Sequence, residues 1–229
     1  MYTLLLRLSG PLQSWGSNSL YDNRDTDYFP TKSGVIGMIA AALGRKREDS
    51  CDDLCSLRFG IRIDNQGVRI KDFQITDMGE KLNKNLSTRM YLSDATFLVG
   101  LSTDNIELLD SIQKSIRNPR FCLYLGRKAC PPTLPVELGI QEESLYEALY
   151  NHEWLVKDSQ QEKMFFRRDF MKLRIIVEDE IGTLKKDVPL SFESNYRQYG
   201  YRCLREMPGK EVRRNSCTET KHDAMKELG

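Results

Sequence analysis

One stretch of the sequence, residues 111–136, contains five basic side chains and no acidic one. The five are Lys114, Arg117, Arg120, Arg127 and Lys128. Phe121 and Tyr124 lie among these bases, and Gly126 would let the backbone approach a ligand closely. Because basic groups pair with phosphates and aromatic rings stack on bases, this composition predicts a site for single-stranded nucleic acid. A solvated loop after a helix, whose C-terminus favours cations, is the alternative interpretation.

The chain as a whole is nearly neutral. It has 34 Lys and Arg residues against 33 Asp and Glu residues, a net charge of +1 over 229 residues. This balance excludes a protein that binds any polyanion through a uniformly basic surface. Hydrophobic residues make up 40% of the chain, which excludes a disordered protein. The charges therefore indicate one local basic site on a largely neutral surface that suits docking onto protein partners.

Two further segments could contact phosphates. Residues 163–174 hold five bases, one acid and three phenylalanines, although an amphipathic edge with core phenylalanines is the simpler explanation. The run Thr31-Lys32-Ser33-Gly34 begins a predicted helix, whose free N–H groups and nearby lysine could hold a phosphate. An ordinary helix N-cap explains the same residues. The spacing of a P-loop is absent from this segment.

No catalytic or metal-binding motif is evident. The two histidines are His152 and His222, and no pair of the six cysteines has the C-x-x-C spacing. Metal-free RNA cleavage needs a base for the 2′-hydroxyl and an acid for the leaving oxygen. Tyr124, Lys128 and His152 could be given those roles, but nothing in their spacing requires it. We therefore predict no catalytic residue, no metal site and no cofactor.

The sequence also bears on cellular location. The apolar run after Met1 is too short for a signal peptide, and its charge follows the run instead of preceding it. No run of 18 apolar residues is present, so no membrane span is expected. The cysteines are then expected to be reduced thiols in a cytoplasmic protein.

The periodicity of apolar residues places the basic segment within an α+β chain. The predicted elements are a strand at 2–8, a helix from 31 to 43, a hairpin of strands at 59–63 and 68–73, a strand at 95–101, a helix at 105–117 and a short strand at 121–126. With an arm inserted before the strand at 95–101, this order fits a ferredoxin-like (RRM-like) β-α-β-β-α-β domain over residues 1–139. Such a sheet leaves one face free of helices, where single-stranded RNA is often bound.

The remainder of the chain is predicted to be a smaller C-terminal part that contains β structure, residues 140–208. A helix at 142–150 and a strand at 172–178 are its clearest elements. Residues 209–229 are highly charged and are expected to form a mobile tail.

Four segments, in chain order, resemble motifs of the CasD family, a subunit of Cascade, the type I-E CRISPR surveillance complex. They are Leu6 to Gly16, Phe29 to Gly37, Tyr91 to Phe97, and Pro119 to Phe121 with Tyr124 to Pro131. The last segment is similar to the family's glycine-arginine loop. Together the four cover most of residues 1–139, whereas residues 140–229 match only loosely.

The resemblance implies a non-catalytic subunit that binds the 5′ handle of CRISPR RNA and caps one end of the complex in antiviral defence. Its implied partners are the RNA, the CasC backbone subunit and the large subunit CasA. In type I-E systems another subunit, CasE, cuts the precursor RNA, but a related type I-C subfamily does its own cutting. A metal-independent endoribonuclease for CRISPR repeat RNA is therefore the alternative, and a protein-interaction domain without RNA contact is a third hypothesis.

The resemblance also assigns RNA contacts to individual residues. They are Gln13, Ser14 and Trp15 in a loop facing the handle, Thr31, Lys32 and Ser33 at a helix N-terminus, Lys81, Lys84 and Arg89 in a thumb over residues 74–91, and Arg120, Tyr124, Gly126, Arg127 and Lys128 around the glycine-arginine loop. Lys128 stands where the family commonly has Arg. A lysine binds phosphate as a point charge and lacks the planar bidentate fork of arginine.

Overall fold

The structure, a computed structural model, describes residues 1–16, 23–76, 85–156, 160–161, 164–165, 169–193 and 196–213. Its strands are β1 (Tyr2–Ser9), β2 (Leu12–Gln13), β3 (Asn23–Arg24), β4 (Arg58–Asn65), β5 (Val68–Thr76), β6 (Asn85–Ser93), β7 (Thr96–Thr103), β8 (Glu137–Gln141), β9 (Phe170–Asp179), β10 (Thr183–Ser191) and β11 (Gln198–Arg213). Its helices include α1 (Lys32–Leu43), α2 (Asp52–Cys55), α3 (Ile106–Arg117) and α4 (Leu145–Asn151). The predicted α+β class is confirmed. None of the described helices is long and apolar enough to cross a membrane.

A seven-stranded antiparallel sheet forms the centre of the molecule, in the order β10-β11-β9-β4-β7-β1-β8. The strands β1, β4 and β7 are apolar runs that are buried on both faces, as expected at the middle of a covered sheet. The C-terminal strands extend this same sheet, because β9 pairs with β4, with Gly60 opposite Val177. The predicted N-terminal and C-terminal parts therefore share one continuous sheet.

Helices α1 and α3 cover one face of the sheet, and both were predicted from the sequence. The Thr31 side chain accepts a hydrogen bond from the Gly34 N–H at the start of α1, and Gly44, with φ of 80°, ends it. The Asn105 side chain caps α3 in the same way. The apolar faces of both helices pack on Leu4, Leu6 and Leu8 of β1 in the main core; these helix residues are Val35, Ile36 and Ile39 with Leu109, Ile112 and Ile116.

The opposite face of the sheet is covered by α4, so the prediction of a helix-free face is wrong. Leu145 and Leu149 of α4 form a second core with Leu5 of β1. Glycines in the strands below make room for them: a Cβ at Gly60 would lie 2.8 Å from Leu149, and one at Gly100 would lie 2.7 Å from Leu145. The sequence predicted this helix but not its position. This sheet face is therefore not open to an RNA strand.

The predicted hairpin between β4 and β5 is also wrong. Strand β4 pairs with β7 and β9, whereas β5 pairs with β6 in a second, smaller sheet together with β2 and β3. Gly67, with φ of 67°, redirects the chain between them, and a Cβ there would lie 2.4 Å from the Ser93 carbonyl oxygen. We call the β5–β6 pair the ribbon. Part of the predicted thumb lies in it, but residues 77–84, with Lys81 and Lys84, lie outside the described residues.

The predicted strand at 121–126 is a loop in the structure, and the fourth strand of the N-terminal unit is β8 instead. This segment, residues 121–130, is called the glycine loop below. It folds on itself, because the Leu125 N–H donates to the Cys130 carbonyl at 2.7 Å and the Cys130 N–H to the Arg127 carbonyl at 2.9 Å. Prolines follow it at 131, 132 and 135, and proline cannot donate to a strand ladder.

Two strands near the C-terminus were missed by the sequence analysis. β10 and β11 pair with each other at one end of the sheet, and most of their side chains are exposed or only half-buried. Their sequences therefore lack the apolar alternation that identifies a half-buried strand. β11 continues to Arg213, which lies opposite Phe170, so residues 209–213 of the expected tail belong to the sheet. Residues 214–229 lie outside the described residues.

Candidate nucleic-acid interface

A groove of about 680 Å³ lies over the solvent side of α1. Its floor consists of small residues of that helix, among them Gly34, Gly37 and Ala41, because short side chains leave depth above the helix. One wall is the glycine loop. Residues of the β10–β11 hairpin, called the second wall below, and residues 45–47 after α1 complete the lining. The lining residues thus come from distant parts of the chain and are brought together at one helix.

Among the residues that the structure describes, the side chains that line the groove include five cations and no carboxylate. The cations are Arg45, Lys46, Arg47, Lys128 and Arg197. Arg45 is already paired, since its Nη1 donates to Asp53 Oδ1 at 2.6 Å; this hydrogen bond raises the pKa of Arg45 and lowers the pKa of Asp53. Lys46, Lys128 and Arg197 are exposed and form no ion pair with another described residue. The groove therefore carries uncompensated positive charge.

Aromatic rings line the same groove on both walls. Phe121 and Tyr124 come from the glycine loop, and Phe192 and Tyr199 come from the hairpin. Tyr124, Phe192 and Tyr199 are half-buried, whereas Phe121 is exposed. Cations with interleaved rings and no acidic group are the combination that holds the phosphates and stacks the bases of a single strand. The geometry therefore gives this groove the chemistry of a single-stranded nucleic-acid site.

The predicted handle-facing segment, residues 13–15, has a structural role that the sequence did not reveal. Gln13 is fully buried: its Nε2 donates to the Ala95 carbonyl at 2.7 Å, and its Oε1 accepts from Trp15 Nε1 at 3.0 Å. Trp15 packs against Gly34 of α1, where a Cβ would lie 2.8 Å from the indole. Ser14 and Trp15 border the groove while Gln13 does not. The segment therefore supports the groove floor.

The start of α1 is occupied largely by protein groups. Lys32 is buried, and its Nζ pairs with Glu178 of β9 at 3.0 Å. The Lys32 N–H donates to Asp187 of β10 at 3.0 Å, and that carboxylate also accepts two hydrogen bonds from Arg202 of β11. Lys32 does not line the groove, whereas Thr31 and Ser33 border it. The helix N-terminus thus anchors the C-terminal strands.

Gly126 and Arg127 hold the glycine loop in place. Gly126 has φ of 84°, and a Cβ there would lie 1.7 Å from the Ser14 carbonyl oxygen, so only glycine fits this contact. The Arg127 guanidinium stacks over Tyr91 of the ribbon at 4.8 Å, and its Nη2 donates to the Arg24 carbonyl at 2.9 Å. Arg127 therefore fastens the loop to the ribbon and does not line the groove.

Four other predicted bases lie away from the groove. Arg117 pairs with Glu137 at 2.8 Å, and Lys114 is exposed on α3. The Arg120 side chain lies against Gly44 at the end of α1, and Arg89 lies in the ribbon opposite Asp72. Lys128 is the one base of the acid-free segment that lines the groove. The local sequence cluster is thus dispersed in space.

Residues 45–47, Arg197 and Tyr199 line the groove but were not predicted from the sequence. Two signals were available: the run Arg45-Lys46-Arg47 directly follows the helix-ending glycine, and tyrosines recur in the polar segment after residue 193. Neither segment is free of acids over a long window, so local charge counting does not select them. They become a site only because the fold brings them to the edge of α1.

The three candidate groups for RNA cleavage, Tyr124, Lys128 and His152, do not come together in the fold. His152 ends α4, which covers one face of the central sheet, whereas Tyr124 and Lys128 line the groove over α1 on the other face. The sheet therefore lies between them. Within the described residues, no group of three or more His, Cys, Asp or Glu side chains is arranged to hold a metal ion.

An antiparallel α+β fold with an acid-free, aromatic groove defines a candidate binding protein for single-stranded nucleic acid. The family model described as "CRISPR-associated protein (Cas_Cas5)" matches residues 3–205. The chain belongs to this Cas5 family of CRISPR-associated proteins, and the predicted family resemblance is confirmed.

Named relatives agree with this family. The "CRISPR system Cascade subunit CasD" of Escherichia coli (strain K12) is 33% identical over 171 residues, which are 66% of this chain and 76% of that protein. A solved chain described as "CRISPR RNA-guided surveillance complex" has a TM-score of 0.74 and 31% identity, and the match covers 99% of this chain and 97% of that one. A second, described as "Crystal structure of Cas protein", has a TM-score of 0.70, 40% identity and coverage of 90% and 94%.

Proposed function

We propose that this protein is a Cascade subunit that holds the 5′ handle of CRISPR RNA in the groove over α1. The observation that carries the proposal is the acid-free groove, with cations and aromatic rings on both walls, in a member of this family. The predicted Cascade subunit is confirmed by family membership and by likeness to a CRISPR RNA-guided surveillance complex. Capping one end of the complex and contacting CasC and CasA in the cytoplasm are the finer parts of this proposal.

A ferredoxin-like core for the N-terminal unit is also part of the proposal. Its support is the antiparallel order β4-β7-β1-β8, with α1 joining β1 to β4 and α3 joining β7 to β8. The inserted ribbon would act as the thumb. Its exposed apolar residues Phe73, Ile75 and Leu86 are a surface that RNA or a neighbouring subunit would cover.

The groove suits single-stranded RNA because its cations and rings can contact phosphates and unpaired bases without a duplex. Lys128 would pair with a phosphate as a point charge, and Tyr124 would stack on a splayed base. Thr31 and Ser33 place hydroxyl groups at the edge of the floor. Arg127 and Gly126 would act through the loop, which they hold against the ribbon and residues 13–15.

Replacing Lys128 by alanine is expected to weaken binding of single-stranded handle RNA and to lower the slope of log affinity against log salt by about one. The reason is the loss of one phosphate contact, since each such contact releases condensed counterions. The measurement is fluorescence anisotropy of labelled RNA with the full chain, between about 50 and 200 mM salt. Lys128→Arg should restore the slope.

Lys114→Ala is the matched control, because it removes an exposed base from the same acid-free segment, outside the groove. It should leave both affinity and slope close to the wild-type values. If handle RNA bound no better than scrambled RNA, with no dependence on salt, the protein-interaction hypothesis would replace RNA binding. Equal slopes for Lys128→Ala and wild type would remove Lys128 from the site.

We expect no cleavage when the full chain is incubated with labelled CRISPR repeat RNA, with or without EDTA. The reason is that the sheet separates His152 from Tyr124 and Lys128, so the three cannot meet at one phosphate. Denaturing gel electrophoresis is the measurement. Specific cleavage that disappeared in both His152→Ala and Lys128→Ala would establish the endoribonuclease instead.

A further inference from the structure

The β10–β11 hairpin supplies the groove with a wall that nothing in the acid-free segment predicted. We infer that this second wall binds the same single strand of RNA as the glycine loop, with Tyr199 stacking on a base and Arg197 pairing with a phosphate. The inference rests on the proposed function, because it assigns further RNA contacts to the same groove. It makes the C-terminal strands part of the binding site and not only a support for the sheet.

The position of the hairpin residues supports this assignment. Phe192 follows β10, Arg197 precedes β11, and Tyr199 lies in β11, so all three lie near the connection between the two strands. A Cβ at Gly37 of α1 would lie 3.6 Å from Phe192. The three hairpin residues line the same groove as Tyr124 and Lys128. A volume of about 680 Å³ lies within the range of pockets that enclose most of a ligand. A strand that lies in this groove would contact both the glycine loop and the second wall.

The chemistry of Arg197 and Tyr199 also suits RNA. Arg197 is exposed and forms no ion pair with another described residue, so no described carboxylate competes with a phosphate for its guanidinium. Tyr199 is half-buried, which fixes the ring and leaves part of it open to the groove. Any base can stack on an aromatic ring, and cationic side chains pair with phosphates along the RNA backbone. Single-stranded RNA is the ligand class that uses both groups together.

Hydrogen bonds already fix the second wall relative to the floor. Asp187 of β10 is buried and accepts hydrogen bonds from Arg202 Nε at 2.6 Å and from the Lys32 N–H of α1 at 3.0 Å. Lys32 Nζ pairs in addition with Glu178 of β9. These contacts join the hairpin to the first turn of α1. The wall is therefore held in place before RNA binds, and little ordering cost remains for binding.

The test compares substitutions of hairpin residues in the groove with matched substitutions in β11 outside it. Tyr199→Ala should weaken binding of single-stranded handle RNA by about five-fold or more, because it removes one stacked base, and Tyr199→Phe should bind like wild type. Arg197→Ala should lower the salt slope by about one. The matched controls are Tyr201→Ala and Arg205→Ala, which remove an exposed ring and an exposed base from β11 outside the groove. Both controls should bind like wild type.

A second measurement uses the wild-type chain and so does not depend on any variant folding. Handle RNA carrying 4-thiouridine is crosslinked by light, and the modified peptides are identified by mass spectrometry. We expect crosslinks in residues 196–201 as well as in the glycine loop. Crosslinks in the glycine loop alone, with Tyr199→Ala and Arg197→Ala equal to their controls, would overturn the second wall and leave the proposed function standing. Failure of the wild type to bind handle RNA would overturn both.

Discussion

Gly126→Ala is expected to destabilise the glycine loop and to weaken binding of handle RNA by more than about ten-fold. The reason is that an RNA strand can contact the glycine loop and the second wall together only while the loop keeps its position. A non-glycine residue at positive φ costs about 1–2 kcal/mol, and the new Cβ would lie 1.7 Å from the Ser14 carbonyl oxygen. The backbone must then shift and lose the hydrogen bond from the Ser14 N–H to the Leu125 carbonyl at 3.1 Å. We expect the free energy of unfolding to fall by about 2–4 kcal/mol in urea titrations.

Gly139→Ala is the control, because it introduces backbone strain without a steric contact of the new Cβ. Gly139 has φ of 110°, yet a Cβ there would meet no atom within 4 Å. This variant should lose about 1–2 kcal/mol of stability while its RNA affinity stays unchanged. If Gly126→Ala affected stability and RNA affinity no more than Gly139→Ala does, the close approach of the glycine loop to residues 13–15 would not shape the groove.

The elements that could be predicted are those whose signals are local. Thr31 and Gly44 mark the two ends of α1, and Asn105 marks the start of α3, each through contacts within a few residues. The strand partners could not be predicted in the same way. The alternation in β5 shows that it is a strand, but it does not say whether β4 or β6 lies beside it. The choice depends on which strand edge is free, and both edges of β4 are taken by β7 and β9.

The same distinction applies to the site. Tyr124 and Lys128 were predicted from a local cluster, and both line the groove. Gln13 and Lys32 carry side chains that suit RNA contacts, but the fold turns them inward, where they bond to Ala95 and Glu178. Arg197 reaches the groove only because the β10–β11 hairpin packs beside α1 through β10. Charge patterns along the sequence therefore identify part of such a site, and strand pairing supplies the rest.

On the face of the central sheet away from the groove, a buried ion pair joins β4 to the end of α4. Arg62 of β4 is fully buried, and its guanidinium donates to the carbonyls of Leu149, His152 and Glu153 at the end of α4. Asp64 completes this cap by accepting two further hydrogen bonds from Arg62. Through this cap, β4 fixes the C-terminal end of α4. This cluster lies on the opposite face of the sheet from the groove, so it should affect stability without affecting RNA contacts.

Asp64→Ala is expected to lower the free energy of unfolding by about 3–5 kcal/mol, because it leaves a buried guanidinium without its counter-charge. Asp64 accepts from Arg62 Nε at 2.7 Å and from Nη2 at 2.9 Å, and both side chains are fully buried. It also accepts from the Leu155 N–H at 2.8 Å, so the substitution orphans a backbone donor as well. Urea titration followed by circular dichroism measures the loss.

Glu206→Ala is the matched control, because it also removes a carboxylate that accepts two hydrogen bonds from an arginine. Its partner is Arg174, and the two side chains are 52% and 54% exposed, respectively. Exposed ion pairs contribute about 0–1 kcal/mol, so this variant should remain close to wild type. Equal losses in the two variants would show that burial of the Arg62–Asp64 pair does not govern its contribution. Because the pair lies across the sheet from the groove, Asp64→Ala that is kept folded at low temperature should bind handle RNA like wild type.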